Sequence, residues 1–177
     1  MSMVDHMGDD SFEQPRLFAI YDALDPDRSD LDVYARLARE LGAHQVLDVG
    51  CGTGTFALLP TDRGLDVIGL DPAGGALFVA QAKPGADRVR WIHGDATSLP
   101  PMQVDLATMT AKVAQAIVDQ AEREETLRGV LAALRPARHM VFETRDPTYR
   151  AWEEWNRSAS YGTTEIDGVG ESRAGLR

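Results

Sequence analysis

One segment of the chain combines an acid with closely spaced glycines, a pattern that can bind a ligand. The residues from Asp48 to Gly54 read Asp-Val-Gly-Cys-Gly-Thr-Gly and follow a short apolar run. Glycine is needed where the backbone adopts a positive φ, or where a ligand approaches the main chain more closely than a Cβ permits. A dinucleotide-binding loop has the spacing Gly-x-Gly-x-x-Gly, and Thr55 stands where its last glycine would be. The loop is therefore spaced for a different ligand.

Two further acids follow the next two apolar runs. Asp71 ends the second run, and Asp95 lies in the Gly-Asp-Ala sequence that follows the third. A carboxylate at the end of the second strand can accept both hydrogens of a ribose diol, and Asp95 is suited to accept from an exocyclic amine. Together with Asp48, these acids form an edge whose motifs contain no Lys or Arg. Such an edge favours a cation and disfavours a pyrophosphate.

Parallel strands are needed to bring these acids together, because ligands of open α/β sheets bind at the carboxyl ends of the strands. From His44 onward, short apolar runs alternate with helical stretches. This pattern predicts an α/β fold, a three-layer, Rossmann-like open sheet that is mainly parallel, with about five strands and helices on both faces. The predicted strands are Gln45–Val49, Asp66–Leu70, Val89–His93, Val104–Met109 and His139–Glu143, and the clearest helices are Leu31–Leu41 and Asp119–Leu134.

The chain divides into three predicted segments. Residues 1–28 form an acidic N-terminal arm, residues 29–147 form the ligand-binding domain, and residues 148–177 form a C-terminal helix with a loosely ordered tail. The tail is rich in Gly, Ser and Thr and has too few apolar residues to build a core.

Length, charge and cysteine content restrict the classes of function. A chain of 177 residues favours one domain with a hydrophobic core. Its formal net charge of -10 opposes non-specific binding to nucleic acid or to an anionic membrane. The single cysteine, Cys51, excludes an intrachain disulfide and a thiolate metal cluster, so no metal site is predicted. The acidic amino terminus lacks the basic and apolar regions of a signal peptide, so we expect a cytoplasmic location.

The three motifs, in this order and each after a predicted strand, resemble the first three motifs of the class I S-adenosylmethionine-dependent methyltransferases. The similarity is strongest to small bacterial members of the ubiquinone-biosynthesis type, and it spans roughly Leu31 to Pro147. Thr110 and Ala111, just past the fourth strand, resemble the fourth motif of that family, which faces the reacting methyl group.

The resemblance implies a binding site for the methyl donor at this edge of the sheet. The glycine loop would pass under the methionyl part of S-adenosylmethionine, with Asp48 near its ammonium and sulfonium charges. Asp71 would bind the ribose hydroxyls, and Pro72 would pack on the adenine. Asp95 and the backbone of Ala96 would contact the adenine edge. The complete set of implied cofactor-binding residues is Asp48, Gly50, Cys51, Gly52, Gly54, Asp71, Pro72, Asp95, Ala96 and Thr110.

The implied function is transfer of a methyl group from the sulfonium donor to a small-molecule acceptor by in-line displacement, with S-adenosylhomocysteine as product. No catalytic residue is assigned, because a general base is required only for an acceptor that is still protonated when attacked. Glu143 and Arg145, at the end of the fifth strand, are the nearest candidates for substrate contact. The Thr-Ala-Lys-Val sequence after the fourth strand lacks the Pro-Pro-aromatic motif of nucleic-acid amino methyltransferases. Nucleic acid is therefore not the expected substrate.

Two alternatives remain open. The complete family fold carries an antiparallel strand pair beside strand five, and Glu171–Arg177 shows no strand pattern, so we expect this pair to be missing. A chain without the pair would expose strand five as an edge open to self-association, and the protein could then be catalytically impaired or a non-catalytic S-adenosylmethionine-binding protein. The other alternative, an NAD-dependent oxidoreductase, is disfavoured by Thr55 and by the carboxylate-lined edge.

Overall fold

A parallel sheet forms the centre of the structure. The computed structural model describes residues 15–24, 26–61, 64–153, 156, 158, 161–166 and 170–174. The strands of the central sheet are β1 (Gln45–Val49), β2 (Asp66–Asp71), β3 (Val89–His93), β4 (Val104–Met109) and β5 (Leu134–Phe142). Their order is β3-β2-β1-β4-β5, and each neighbouring pair is parallel. The predicted Rossmann-like open sheet is confirmed.

Helices cover both faces of this sheet. They are α1 (Pro15–Leu24), α2 (Leu31–Glu40), α3 (Thr55–Thr61), α4 (Gly74–Gln81), α5 (Val113–Ala116) and α6 (Gln120–Ala133). Val46 and Leu106 pack in the cluster that contains residues of α2, whereas Leu47 and Ala107 pack with Val130 of α6. The two clusters lie on opposite faces because successive side chains of a strand point in opposite directions.

The sequence of α2 explains why it packs on the sheet. Its buried residues are Leu31, Tyr34, Ala35 and Ala38, whose spacing places them on one side of a helix. Leu31 is completely buried, and burial of such a side chain contributes about 1.5–3 kcal/mol to folding. The periodicity of the sequence therefore predicted this helix and its buried side.

Strand β5 begins earlier than the sequence predicted. The prediction placed the end of a helix at Leu134 and the start of the strand at His139, but the structure has strand from Leu134. The register shifts between Val104 and Leu106, which pair with Leu134 and His139 respectively. The extra residues between these pairs are accommodated by a bulge, and Ala137 within it has a φ of 59°.

Asp105 holds the amino ends of three strands together, opposite the predicted site. Its Oδ2 atom accepts hydrogen bonds from the backbone N–H groups of His44 (2.9 Å) and Gln45 (3.0 Å). Its Oδ1 atom accepts from the guanidinium of Arg135 at 2.8 Å, which starts the bulge of β5. Burial disfavours the charge of Asp105, but these bonds outweigh burial and lower its pKa to about 2. Asp105 is therefore a structural residue.

The prediction that the strand pair after β5 is missing is wrong. Two further strands, β6 (Gly162–Ile166) and β7 (Gly170–Ala174), pair in antiparallel fashion. They form a separate two-stranded sheet, so β5 stays at the edge of the central sheet within the described part of the chain. Strand β6 lies against α1, and its Ile166 side chain is buried. Polar residues dominate both strands, which is why the sequence pattern did not reveal them.

The segment between β5 and β6 also differs from its prediction. The C-terminal helix predicted at the start of residues 148–177 is absent from the described residues there, which form 3₁₀ turns at Pro147–Tyr149 and Ala151–Glu153. Residues 1–14 of the predicted arm lie outside the described residues. The described part of the chain contains no helix that is long and apolar enough to cross a bilayer.

Substitution of Asp105 tests its structural role. We expect Asp105→Ala to lower the free energy of unfolding by about 2–3 kcal/mol, because two partly buried N–H groups lose their acceptor. Since the pKa of Asp105 is about 2 rather than its ordinary 3.8, its contribution is present above pH 3.8 and is lost as the pH falls towards 2. Urea titrations at several pH values measure both effects.

A matched control is Glu124→Gln on the exposed surface of α6. Glu124 pairs with Arg128 one turn away, and both side chains are more than half exposed. We expect this change to alter the unfolding free energy by less than about 0.5 kcal/mol. An Asp105→Ala chain as stable as the control would contradict the structural role.

Candidate functional site

The glycine loop connects β1 to α3 and requires glycine at each alternate position. Gly50, Gly52 and Gly54 have φ values of 71°, 53° and 76°, a region that side chains with a Cβ rarely adopt. A Cβ on Gly50 would lie 2.5 Å from Cγ2 of Val113, and a Cβ on Gly54 would lie 2.5 Å from the ring of Trp91. The loop is thus packed between α5 and β3 at Gly50 and Gly54, and only at Gly52 does open space lie beside its backbone.

Asp48 lies directly before this loop, and its side chain is buried. Its side chain is completely buried, and its Oδ1 atom accepts a hydrogen bond of 3.1 Å from the hydroxyl of Thr108 on β4. Its Oδ2 atom has no hydrogen-bond partner among the described residues. Burial raises the pKa of Asp48 to about 7, against the lowering effect of the Thr108 bond. A buried acceptor without a partner is rare in folded proteins and marks a place for a hydrogen-bond donor or a cation.

Asp71, at the end of β2, holds the glycine loop from one side. Its Oδ2 atom accepts from the backbone N–H of Gly52 at 2.7 Å, and its Oδ1 atom accepts from the N–H of Ala73 at 2.8 Å. Burial raises the pKa of Asp71, and the two backbone bonds oppose this rise. Each oxygen keeps a second lone pair. The predicted ribose contact therefore has a second role that the sequence did not indicate, since the same carboxylate positions the loop.

The next predicted residues surround the end of β3. The carbonyl of Pro72 forms a 2.9 Å hydrogen bond with the ring of His93. Asp95 caps the 3₁₀ turn Ala96–Ser98 by accepting from the N–H of Thr97 at 2.8 Å. Ala96 is buried, and a Cβ on Gly129 of α6 would lie 1.8 Å from its carbonyl oxygen. Close contact with Gly129 of α6 therefore fixes the position of the Ala96–Ser98 turn.

Beyond β4 the backbone turns sharply. Thr110 is buried, and the two residues after it, Ala111 and Lys112, have φ values of 50° and 69°. Two successive left-handed residues that are not glycine carry strain of about 1–3 kcal/mol each. The turn brings Val113 against Gly50, so it connects the fourth predicted motif to the glycine loop.

A tyrosine and a glutamate, which the sequence did not pair, lie on the same face of the sheet as Asp48. Thr108 pairs with Val141, so the same register places Glu143 level with Thr110. Tyr34 of α2 is buried on this face, near enough to Glu143 for the charge of that residue to act on its hydroxyl. Burial, together with the charge and hydrogen bond of Glu143, raises the pKa of Tyr34 to about 12. The sequence named Glu143 as a candidate for substrate contact, whereas Tyr34 had no assigned role within the predicted helix Leu31–Leu41.

Helix α1 contributes a residue that the sequence analysis missed. The carboxylate of Asp22 accepts hydrogen bonds from the hydroxyls of Thr53 (2.7 Å) and Thr55 (3.1 Å), and it forms a salt bridge with Lys83. Asp22 was assigned to an acidic arm. Proline at the first position of α1, with apolar residues at steps of three and four, was the available signal for this helix.

One cavity is separate from the glycine loop. It has a volume of about 420 Å³ and lies on the α6 face, beyond the ends of β4 and β5. Met109, Gln115, Arg123 and Phe142 are among its lining residues, which include no predicted cofactor-binding residue. The predicted residues instead form an open edge along the carboxyl ends of β1, β2, β3 and β4.

Comparison with known proteins identifies relatives of this chain. Residues 46–137 match a family described as a methyltransferase domain. The biotin biosynthesis bifunctional protein of Cellvibrio japonicus is 32% identical over 125 residues, which are 67% of this chain and 24% of that protein. The cypemycin N-terminal methyltransferase of Streptomyces is 28% identical over 110 residues, which are 62% of this chain and 45% of that protein. The chain thus spans less than half the length of these curated relatives.

A solved structure agrees with the fold. The amino pentose methyltransferase of Micromonospora echinaspora, solved with S-adenosylmethionine bound, has a TM-score of 0.65 and 24% identity. The similarity covers 90% of this chain and 68% of that one. The family match contains β1 to β4, the glycine loop and the three acids at the strand ends, and it extends over more than half of the residues. The chain therefore belongs to the methyltransferase domain family.

Proposed function

We propose that this chain transfers a methyl group from S-adenosylmethionine to a small-molecule acceptor. The observation that carries the proposal is the completely buried Asp48, whose Oδ2 atom has no partner among the described residues. A buried carboxylate is unfavourable unless an opposite charge or a hydrogen bond compensates it. A cationic ligand above the glycine loop supplies both. The residues at the site therefore fit a donor that carries ammonium and sulfonium charges.

The other predicted residues are arranged to hold the same donor along the sheet edge. Asp71 keeps free lone pairs for the ribose hydroxyls while its backbone bonds hold the loop. Pro72 and Asp95 are exposed beside the ends of β2 and β3, where the adenine would lie. The buried Cys51 packs within the loop, and burial raises the pKa of its thiol well above the ordinary value. Cys51 is therefore assigned to packing and not to nucleophilic chemistry.

Proximity and orientation account for most of what the protein must do in this reaction. When bound, S-adenosylmethionine supplies a methyl group that is attached to a sulfonium. Transfer of that methyl group leaves a neutral thioether. The chain needs to align an acceptor with that methyl group, and alignment alone can supply about 7–11 kcal/mol of the barrier in favourable cases. The strained turn at Ala111 and Lys112 supports this purpose, because it holds the backbone beside Thr110 in one conformation.

On the acceptor side, Glu143 is the residue best placed to contact a substrate. Continuing the register of β4 and β5 by one residue places Glu143 level with Thr110, on the face that carries Asp48, and the residue is partly exposed. Hydrogen bonding from the buried Tyr34 would orient that carboxylate. Glu143 would then hold the acceptor, and would accept its proton where the acceptor is still protonated.

The two alternatives have lost support. The case for a non-catalytic protein depended on a missing strand pair; β6 and β7 are present, although as a sheet of their own, and no feature of the described residues indicates impairment. An NAD-dependent oxidoreductase is not supported by the family match. We therefore propose neither.

Calorimetric titration tests donor binding. We expect S-adenosylmethionine and S-adenosylhomocysteine to bind and NAD to give no heat. Asp71→Asn should weaken donor binding about 10-fold or more, because it removes a charged acceptor from both the ribose and the loop. Asp66→Asn, at the opposite end of the same strand, should leave the affinity within about twofold. Binding of NAD without binding of either sulfur compound would contradict the proposal.

The pKa of Asp48 predicts two opposite pH effects. In the free protein, the unfolded carboxyl ionises near 3.8 and the folded one near 7, so stability should fall as the pH rises between these values. Donor binding requires the ionised form, so donor affinity should rise as the pH increases through about 7. Thermal unfolding and calorimetry between pH 5 and 8 measure the two trends. Asp48→Asn should abolish both, and a wild-type affinity that is independent of pH over this range would refute the assignment.

Substitution of Glu143 separates acceptor from donor contacts. We expect Glu143→Gln to reduce methyl transfer at least about 10-fold, while donor affinity stays within about twofold of wild type. Formation of S-adenosylhomocysteine across a panel of amines, phenols and carboxylic acids measures the transfer. Thr144→Val, the next residue on the opposite face, serves as the control. Unchanged transfer by Glu143→Gln to every accepted compound would exclude Glu143 from the acceptor site.

A further inference from the structure

One carboxylate joins three elements around the glycine loop. Asp22 of α1 contacts Thr53 inside the loop, Thr55 at the start of α3, and Lys83 just after α4. The Nζ atom of Lys83 also lies 3.5 Å from the hydroxyl of Thr55, so the cluster is closed on itself. The Thr53 side chain is only 4% exposed. The hydroxyl of Thr53 therefore meets Asp22 at the buried side of the loop, while the side chains of Lys83 and Asp22 stay 23% and 36% exposed.

The position of Thr53 gives this cluster its importance. Thr53 lies between Gly52 and Gly54, which both have positive φ, and glycine-rich backbone loses the most conformational freedom on ordering. Asp71 holds the N–H of Gly52 from the side of β2, and Asp22 holds the hydroxyl of Thr53 from the side of α1. Two neighbouring loop residues are thus held by carboxylates of two different elements, β2 and α1.

The charge of Asp22 is balanced locally. Burial disfavours its ionised form, but the hydrogen bonds from Lys83 and Thr53 outweigh burial and lower its pKa. The carboxylate therefore stays ionised at neutral pH and accepts from both threonine hydroxyls. Hydrogen bonds to a charged acceptor are stronger than those between neutral groups, so this contact resists loosening more than a bond to a neutral side chain would.

We propose that Asp22 is a positioning residue for the donor site, which holds the glycine loop in its binding conformation through Thr53 and Thr55. The proposal rests on the proposed function, because the ligand that benefits is the methyl donor. Docking of α1 and binding of the donor are then coupled, and the coupling is reciprocal. Whatever affinity the docked helix adds to the donor, the donor adds to docking of the helix.

Other contacts hold α1 in place besides those of Asp22. The helix also contacts α4 and β6, and Phe18 on it is buried. Loss of the Asp22 contacts should therefore release the loop without unfolding the helix. The strand pair β6–β7, which the sequence did not predict, supports α1 from the side.

Paired substitutions at the two ends of the shortest hydrogen bond test the proposal. Asp22→Ala removes the acceptor, Thr53→Val removes the hydroxyl while keeping the side-chain shape, and Thr53→Ser keeps the hydroxyl. We expect the first two to weaken S-adenosylhomocysteine binding about 10-fold in calorimetry, and Thr53→Ser to remain within about threefold. The double variant Asp22→Ala with Thr53→Val should bind about as weakly as the weaker single variant, because both remove the same bond.

Hydrogen exchange supplies a readout that a merely structural contact would not change. In the wild type, S-adenosylhomocysteine should slow exchange of the α1 amides, and this effect should disappear in Asp22→Ala and Thr53→Val. If Asp22→Ala fails to fold, Thr53→Val and Lys83→Met carry the same test. Wild-type affinity in Thr53→Val, with α1 still protected by the ligand, would overturn the role of Asp22 while leaving the proposed function intact. Failure of the wild type to bind either sulfur compound would overturn both.

Discussion

The carboxylate of Asp48 is buried completely at the end of a central strand, where an unbalanced charge is unfavourable. One hydrogen bond from Thr108 compensates part of it, and the second oxygen has no partner among the described residues. The loop that follows Asp48 contains three glycines in positive-φ conformations. Glycine allows a close approach to the main chain because it has no Cβ. The fold therefore places a buried carboxylate directly before a loop in which Gly50 and Gly52 are partly exposed. This arrangement lowers the stability of the protein, and on the function proposed above a bound cation would recover it.

The parts of the fold that depend on local pattern were predictable. Strands β1, β3 and β4 have the bounds that the sequence predicted, and β2 is one residue longer. The start of β5 was not predictable, because its bulge depends on Arg135 reaching Asp105 on the neighbouring strand. Helix α1 and the strand pair β6–β7 were missed for a similar reason. The residues of β6 and β7 are mainly polar, and α1 is a short apolar helix that follows an acidic segment, so contact with the rest of the chain gives these elements their structure.

The candidate site shows the same division. The glycine loop and the acids at the strand ends could be located from the sequence, because backbone geometry and strand order determine where they lie. The second role of Asp71 could not, since it depends on the N–H of Gly52 pointing at that carboxylate. Asp22 and Tyr34 are likewise assigned by partners far away along the chain, at Thr53 and Glu143. Sequence motifs thus identify the residues closest to the ligand better than those that hold them.

Gly129 positions a neighbouring turn although it has no side chain. It lies within α6, where a Cβ would overlap the carbonyl oxygen of Ala96, although alanine ordinarily favours a helix over glycine. Any larger residue would push the turn at Ala96 away from the ends of β2 and β3 or displace the whole helix. The position of that turn therefore depends on a helix residue that has no side chain, and the helix has a weaker intrinsic propensity as a result.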